Sequence, residues 1–268
     1  MQRSAVRPSP LFYIIVAVTI VGGVLVTLQS PLELVQYGNV ITVDREPQPL
    51  GTAGIVLLVL GGWAVSLILH EFGHAFVAYK GGDHEVAIKG YLSMDIRRYT
   101  DPVFSIVLPL LILVIGGVPL PGGAVWINQW ALRSRAVACR VSLAGPLSNL
   151  ALGILLTAAV VLIDMPAGLL MGLSYLATLQ ILAFVLNILP VPGLDGYGAI
   201  EPYLSPQARE FGAKARPWAP LILFALIFAV PQVGYALWDV THFIFGLAGG
   251  EEVFSNWGQF AFMFWKNL

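Results

Sequence analysis

The sequence predicts an all-α, polytopic membrane protein with about six transmembrane segments, a re-entrant segment and a small cytoplasmic β-hairpin. Of its 268 residues 57% are hydrophobic and 11% are charged, whereas soluble domains carry about 25% charged residues. The apolar residues also fall into several runs of about 18 residues or more, which is long enough for a helix to cross a bilayer. We therefore expect a single polytopic domain over residues 1–268.

The apolar runs define the expected spans in chain order. The first, Leu11 to Leu28, follows Arg3 and Arg7 and is longer than the apolar part of a signal peptide. No small-residue cleavage site follows it, so we expect a retained first span. The later runs are Ala53 to Tyr79, Val141 to Ile163, Ala167 to Leu189, and Pro217 to Ala229 continuing brokenly to Leu247.

Polar segments separate these runs. Gln29 to Leu50 is a loop in which Asn39 to Val43 is expected to form a short strand. After the second span, Glu85 to Ile88 and Tyr91 to Asp95 are expected to pair as the cytoplasmic hairpin. The next segment, Val103 to Gly117, is apolar, but prolines and paired glycines interrupt it and follow it, which argues against one straight helix.

The most informative residues are the pentapeptide HEFGH, His70 to His74, near the end of the second span. Histidines four apart share one face of a helix, and the glutamate between them, Glu71, can act as a base. This pattern is typical of zinc hydrolases. The preceding residues, Gly54 to Leu69, are almost wholly apolar. The cluster is therefore expected on a helix inside the membrane, where ionisable residues indicate function.

A second motif, Asn187 to Gly196, breaks an apolar helix at two prolines and presents Asp195 among small residues. Unwound backbone at membrane depth is tolerated where it lines a cavity. A zinc hydrolase uses three protein ligands and keeps one position open for water. His70 and His74 supply two of these ligands and Asp195 can supply the third, so we expect one Zn2+ per chain.

Both motifs resemble the signatures of the site-2 protease family of intramembrane zinc metalloproteases, HExxH and NxxPxxxLDG, in the same order. The segment Ala144 to Asn149 is similar to the family's AGPxxN. The resemblance covers roughly residues 50–205, the expected catalytic core, and points to a subgroup without a PDZ or other soluble domain. It implies a zinc metalloendopeptidase that cuts within or near a transmembrane helix of another membrane protein, often a single-pass one, in regulated intramembrane proteolysis.

The resemblance also implies the roles of the site residues. His70, His74 and Asp195 bind the zinc, and Glu71 takes the proton of the zinc-bound water. The asparagine that matches Asn187 helps to bind substrate or to stabilise the oxyanion, which a side-chain amide can do. A helix-capping or interhelical hydrogen bond is the alternative interpretation of Asn187.

Other polar residues receive structural interpretations. Asn149 lies in a small-residue stretch suited to close helix packing, and we interpret it as a packing residue. His84 is expected to be solvated, and His242 to pack at a membrane surface. Cys139 is the single cysteine, which excludes an intrachain disulfide and favours a packing role.

Crossing parity predicts the topology. His70, His74 and Asp195 can meet at one zinc only if an even number of membrane crossings separates them. Counting Val103 to Gly117 as a full span gives three crossings, so this segment is predicted to enter the membrane and return. With that bend, 12 of the 14 basic residues fall on one side, the cytoplasm by the positive-inside rule. They are Arg3, Arg7, Lys80, Lys89, Arg97, Arg98, Arg133, Arg135, Arg140, Arg209, Lys214 and Arg216. We expect a multi-pass protein of a prokaryotic plasma membrane, with its N-terminus and active site toward the cytoplasm.

Two other functions stay open at this point. A catalytically inactive adaptor that grips membrane helices is disfavoured because Glu71 is intact. A metal transporter is disfavoured because the expected spans hold no acid near their core except Glu71 and Asp195. With a net charge of −1 and no basic arm, nothing points to nucleic acid, so the expected partners are a transmembrane substrate and the lipid bilayer.

Overall fold

The computed structural model describes residues 6–31, 33–37, 40–44, 48–99 and 125–267, and this part of the chain is mostly helical. The helices are α1 (Pro10–Leu28), α2 (Pro49–Gly81), α3 (Glu85–Ile88), α4 (Arg135–Leu162), α5 (Ala167–Asn187), α6 (Asp195–Ile200), α7 (Pro206–Ala215), α8 (Ala219–Ala229), α9 (Pro231–Leu247) and α10 (Glu252–Phe262). The strands are β1 (Glu33–Tyr37) and β2 (Val40–Asp44). Short 3-10 helices lie at Tyr91–Ser93, Ile96–Arg98, Gln129–Ala131, Glu201–Tyr203 and Phe264–Asn267.

Four helices, α1, α2, α4 and α5, are long and apolar enough to cross a membrane, with mean hydropathies from 1.9 to 2.6. They match the first four predicted spans. Helices α7 and α8 form a pair bent by 61° that makes a fifth candidate if it crosses as one unit. The chain is therefore a membrane protein, but six spans are not confirmed among the described residues. The physical reason is Pro231, whose ring cannot continue a helix, so the last apolar run divides into α8 and α9.

The longest helix, α2, packs closely against α1 through glycines. A Cβ on Gly22 would lie 2.8 Å from the carbonyl oxygen of Gly54, and a Cβ on Gly54 would lie 2.9 Å from the Cβ of Leu25. A Cβ on Gly61 would in turn lie 3.3 Å from the Cα of Thr19. Small residues at these positions let the two backbones approach, as in other membrane helix pairs.

The loop after α1 carries an antiparallel pair of strands. Glu33 pairs with Asp44 at one end of the ladder, and Tyr37 pairs with Val40 at the other. The strand predicted at Asn39 to Val43 is thus confirmed as β2, shifted by one residue. Its partner β1 was not predicted.

The hairpin predicted after α2 is wrong. Its first segment forms the helical turn α3, and its second begins as the 3-10 helix at Tyr91–Ser93. Left-handed residues bracket that 3-10 helix, Gly90 with φ of 78° and Met94 with φ of 51°, and they interrupt any extended run. The Asp83 carboxylate also accepts the backbone N–H of Glu85 at 3.0 Å, a local bond that favours a turn over a strand.

The chain comes back to the end of α2 from which it departs. The backbone N–H of Arg133 donates to the carbonyl oxygen of Gly81 at 3.1 Å, and α4 begins two residues later. A Cβ on Gly82 would lie 2.6 Å from the carbonyl oxygen of Ala131. Helix α4 therefore starts beside the C-terminus of α2, as the parity argument requires. The predicted bend at Val103 to Gly117 itself lies outside the described residues.

The described residues form two compact units. One comprises those of Met1–Phe12, Ser66–Leu150 and Leu182–Thr241, and the other those of Tyr13–Val65, Ala151–Ile181 and His242–Leu268. The first unit holds the C-terminal part of α2, the N-terminal part of α4 and all of α6. Every motif residue singled out above, from His70 to Asp195, belongs to this unit.

Candidate metal centre

Two histidine rings meet on one face of α2. His70 and His74 are one helical turn apart, their Nε2 atoms lie 3.1 Å apart, and their ring planes make an angle of 79°. Each residue is only 7% exposed. A buried polar atom needs a partner to offset its lost hydration, and two nitrogen lone pairs this close together can share a cation.

The other nitrogen of each ring is held by an oxygen. The Nδ1 atom of His70 lies 2.5 Å from Oδ1 of Asn149, and the Nδ1 atom of His74 lies 2.7 Å from the carbonyl oxygen of Val141. Because these oxygens only accept hydrogen bonds, both Nδ1 atoms carry the hydrogen and both Nε2 atoms keep a lone pair. Metal-ligating histidines are oriented in this way by their outer partners.

Asp195 completes the cluster from a distant part of the chain. Its Oδ2 atom lies 3.1 Å from Nε2 of His70, and its Oδ1 atom lies 3.4 Å from Nε2 of His74. Ligand atoms that are 2.0–2.2 Å from a tetrahedral zinc are separated by about 3.3–3.6 Å, close to these distances. In the part of the chain that the structure describes, this is the one group of three or more such side chains close enough to hold a metal.

Two prolines release the backbone that carries Asp195. Helix α5 ends at Asn187, and Pro190 and Pro192 follow within five residues. Neither proline can donate the backbone hydrogen bond that would extend the helix. The next turn is closed instead by the N–H of Leu194, which donates to the carbonyl of Val191 at 2.9 Å.

Two glycines then allow the turn to place the carboxylate. Gly193 has a φ of +101°, a left-handed conformation that other residues rarely adopt. Asp195 begins α6, and a Cβ on Gly196 would collide with the carbonyl group of Ile188. In the Leu-Asp-Gly sequence, the aspartate contributes its carboxylate to the cluster, and the glycine allows its backbone to lie against that of Ile188.

Glu71 lies beside the cluster with its carboxylate held by the backbone. It is 3% exposed, and its Oε2 atom accepts the N–H of Val125 at 3.1 Å. Glu71 lines a cavity of about 260 Å³ together with His70, His74 and Asp195. The cavity gives a small molecule such as water room beside both the carboxylate and the three ligand side chains.

Comparison with known proteins identifies the family. The chain is 43% identical over 267 residues to "Putative zinc metalloprotease Rip2" of Mycobacterium tuberculosis strain H37Rv, covering 99% of this chain and 97% of that protein. It is 38% identical over 266 residues to the protein of the same name from Mycolicibacterium smegmatis, covering 98% and 96%. The chain belongs to the site-2 protease family of zinc metalloproteases.

A further member is more distant. "Putative zinc metalloprotease YwhC" of Bacillus subtilis is 34% identical over 188 residues, covering 66% of this chain and 82% of that protein. No family model and no solved structure matches the chain. The cofactor of this site-2 protease homologue is zinc, which its cluster of two histidines and one aspartate is able to bind.

The third family segment of this site-2 protease homologue shapes the space in front of the histidines. A Cβ on Gly145 would lie 2.6 Å from Nε2 of His70 and would also collide with Nε2 of His74. Gly73 lies on the facing surface of α2, where a Cβ would lie 3.0 Å from the carbonyl oxygen of Ala144. The glycines bring α2 and α4 into contact and keep a metal-sized space open.

Asn149 is the residue whose role the sequence interpretation missed. It was interpreted as a packing residue, but its buried side-chain amide forms a hydrogen bond with the ring of His70. The signal lies in the spacing. Gly145 and Asn149 are four apart and share one face of α4, so the residue that makes room for the metal and the residue that holds His70 point the same way.

Asn187 lines the same cavity and is 4% exposed. Its Nδ2 atom donates to the carbonyl oxygen of Ala183 at 2.9 Å, one turn earlier in its own helix. An amide nitrogen carries two hydrogens, so one donor is used within α5 and a second is left for the cavity.

The remaining candidates lie apart from the site. His84 is exposed and packs edge-on against Tyr79, which agrees with its interpretation as a solvated residue. His242 lies 3.3 Å from a carboxylate oxygen of Glu252 in the other compact unit. Cys139 is half-buried and forms no disulfide.

Proposed function

We propose that the protein is an intramembrane zinc metalloprotease that hydrolyses a peptide bond within or near a transmembrane helix of another membrane protein. The observation that carries the proposal is the position of the ligand cluster. Two histidines and the glutamate between them are buried on α2, a helix of 33 residues that is apolar enough to cross a membrane. A soluble hydrolase has no need of that setting.

In this proposal His70, His74 and Asp195 hold the zinc through two nitrogens and one carboxylate oxygen. Zinc, when bound, acts as a Lewis acid on the scissile carbonyl and makes water acidic enough to lose a proton near neutral pH. The three protein ligands leave one coordination position open, as catalytic zinc sites do. Asn149 and Val141 keep the two rings in the ligating orientation.

Glu71 moves the proton. Its carboxylate takes a proton from the attacking water while the water oxygen bonds to the carbonyl carbon. It then delivers the proton to the amide nitrogen as the C–N bond breaks. The N–H of Val125 holds one carboxylate oxygen, which fixes the direction in which the other accepts. Proton transfer of this kind contributes about 10²–10⁴-fold to the rate.

Asn187 is assigned to the developing negative charge on the scissile carbonyl oxygen. Its second amide hydrogen is the donor not used by Ala183, and the residue lines the cavity that Glu71 lines. Removing a hydrogen-bond donor to such an oxygen lowers kcat by about 10²–10³-fold in other hydrolases.

The substrate is proposed to be a membrane protein, often a single-pass one, that unwinds at the cut. The amide groups of an intact helix are occupied by their own hydrogen bonds, so the scissile bond is reached only after local unwinding. The charge census supports an orientation in which the N-terminus and the zinc site face the cytoplasm. Regulated intramembrane proteolysis would be the biological setting.

The test is cleavage by the purified protein. The detergent-solubilised chain, with zinc content measured, is incubated with a library of transmembrane peptides, and products are identified by mass spectrometry beside Glu71→Gln. We expect cuts that depend on zinc and disappear in Glu71→Gln. Tight peptide binding without cleavage by the wild type would contradict the proposal and favour the adaptor. Zinc uptake into sealed vesicles without cleavage would favour the transporter.

A further inference from the structure

A second, larger cavity opens from the first. It has a volume of about 860 Å³, in the range that holds peptide-sized or drug-sized ligands. Seven residues line both cavities, among them Ser142, Leu194 and the ligand Asp195. A chain bound at the zinc ligands can therefore continue into the larger cavity without leaving the protein surface.

The larger cavity is lined by an excess of positive charge. Arg135 begins α4, Arg209 lies in α7, and Arg216 follows α7, and all three line it. Among the described residues of the lining, Glu201 is the only acid besides Asp195, whose charge belongs to the metal centre. Outside the metal centre, the lining residues that the structure describes thus carry three guanidinium groups and one carboxylate. We name this lining, centred on Arg135, Arg209 and Arg216, the arginine cleft.

Two of the three guanidinium groups keep uncompensated charge. Arg216 lies 2.9 Å and 3.0 Å from the two carboxylate oxygens of Glu201, so that pair is neutral. Arg209 donates to the carbonyl oxygens of Leu204 and Pro202, at 3.1 Å and 2.8 Å, and a carbonyl carries no net charge. Arg135 is exposed, and its guanidinium group has no hydrogen bond or ion pair to any residue that the structure describes.

We propose that the arginine cleft binds an acidic side chain of the substrate, in the polar segment that flanks its transmembrane helix. This inference rests on the proposed protease function and adds a substrate preference to it. The chemistry is an Asp or Glu carboxylate paired with Arg135. Guanidinium groups pair with carboxylates through two parallel hydrogen bonds, and a cleft of one charge sign attracts the opposite sign.

Continuity with the metal centre favours a substrate peptide over an anionic lipid. The cleft shares Ser142, Leu194 and Asp195 with the cavity that Glu71 lines, so one peptide chain can occupy the cleft and present its scissile bond beside Glu71. A lipid headgroup bound by the same arginines would be indifferent to the substrate sequence. The two occupants are therefore separated by asking whether the effect follows substrate charge or lipid charge.

The test uses paired peptide substrates and the whole protein in detergent. A series of transmembrane peptides each carries a single Asp at a different position on either side of the cut. Each peptide is compared with a partner that carries Asn at the same position. We expect kcat/KM to favour Asp by about fivefold at one or two adjacent positions, the upper end for an exposed ion pair. The preference should disappear in Arg135→Gln, reverse in Arg135→Glu, and shrink in 0.5 M salt, where charges are screened.

Arg133→Gln is the matched control. Arg133 is exposed, lies two residues from Arg135, does not line the cavity, and uses its backbone N–H for the bond to Gly81. This variant loses the same charge and should keep the Asp preference. Loss of the preference in both variants would mean general steering by surface charge, and it would overturn the proposal.

The remaining outcomes separate this inference from the protease proposal. Equal cleavage of the Asp and Asn peptides at every position would overturn the arginine cleft alone. In a second arm the protein is placed in bilayers with or without phosphatidylglycerol. Slower cleavage of both peptides by Arg135→Gln only in the bilayers that contain phosphatidylglycerol would assign the cleft to lipid and overturn the inference. Cleavage of neither peptide by the wild type would overturn the protease proposal, and the substrate preference with it.

Discussion

The Nδ1 atom of His70 lies 2.5 Å from the Oδ1 atom of Asn149, although the two residues are in different helices and 79 positions apart. This bond fixes which ring nitrogen of His70 faces His74 and Asp195. It also makes α4 part of the metal centre, although α4 supplies no ligand. In other metalloproteins, removing the hydrogen-bond partner of a ligating histidine lowers metal affinity or activity by 10–100-fold, which is about 1.4–2.8 kcal/mol.

Replacing Asn149 by Ala should therefore weaken zinc binding by about 10–100-fold and reduce proteolysis with it. Zinc affinity is measured by competition with a chromophoric chelator. Asn149→Asp keeps an oxygen acceptor at the same position and should retain most of the affinity. Unchanged affinity in Asn149→Ala would mean that the hydrogen bond does not position His70.

Gly145→Ala should abolish zinc binding while the protein still folds. The added Cβ would lie 2.6 Å from Nε2 of His70, in the space the metal needs, and it would collide with His74 as well. Gly246→Ala is the matched control, because a Cβ there meets nothing within 4 Å. Zinc content by atomic absorption and thermal unfolding separate loss of metal from loss of fold. Full zinc content in Gly145→Ala would place the metal elsewhere.

Asp195→Ala and Glu71→Gln should separate metal binding from proton transfer. Asp195→Ala removes a ligand and should lose zinc and activity together. Glu71→Gln keeps the size and hydrogen bonding of the side chain but cannot take a proton, so zinc should stay while turnover falls by about 10²–10⁴-fold. Asp164→Ala, an exposed acid, should leave both unchanged. An active, zinc-loaded Asp195→Ala would exclude Asp195 as the third ligand.

The hydrogen bond between Arg133 and Gly81 predicts which loops share a membrane side. Single cysteines at Ser134 and Lys80, in a Cys139→Ser background, should react with an impermeant thiol reagent from the same side. A cysteine at Asp164, beyond the far end of α4, should react from the opposite side. The measurement is labelling of intact cells against inverted vesicles. Labelling of all three positions from one side would mean that α4 does not cross the membrane.

Asp95→Asn should lower stability at neutral pH but not in acid. The pKa of the Asp95 carboxyl is held below its usual range, first by hydrogen bonds from the Arg97 side chain at 2.9 Å and 2.7 Å. Because the folded state favours the charged form, this stabilisation is complete above the unfolded pKa of about 3.9 and is lost as pH falls through the lower folded pKa.

The expected loss at pH 7 is less than about 1 kcal/mol, as for other ion pairs whose arginine is exposed, because asparagine keeps an oxygen that accepts the backbone N–H at the start of the helical turn. The unfolding temperature is compared with that of the wild type at pH 7 and at pH 3, where the difference should narrow. Glu210→Gln, which breaks an exposed pair with Lys214, should change stability less at either pH. A constant difference would exclude the ion pair as its cause.

The parts of the fold that could be predicted from the sequence are those with a local signal. An apolar run as long as α2 has few alternatives to a membrane helix, and the four-residue spacing of the histidines fixes their common face. The prolines before Asp195 marked the end of α5. The basic residues in the loops after α2 and before α4 predicted that both loops lie on one side of the membrane, and therefore that α4 begins near the C-terminus of α2.

The parts that could not be predicted depend on contacts across the chain or on backbone angles. The hydrogen bond between Asn149 and His70 exists only after α4 packs on α2. The small residues around Asn149 favour close helix packing, and nothing in the local sequence indicates a contact with a histidine. The predicted hairpin after α2 failed because alternation over a few residues does not exclude turns. Met94 adopts a left-handed conformation that its side chain gave no reason to expect.

The three side chains of the metal centre are made at different times during synthesis of the chain. His70 and His74 leave the ribosome together on one helix, but Asp195 follows more than a hundred residues later, after both α4 and α5. Until that aspartate is made, the growing chain holds two ligands and lacks the third. The complete set of three side chains that can hold a metal therefore exists only after α4 and α5 have been synthesised.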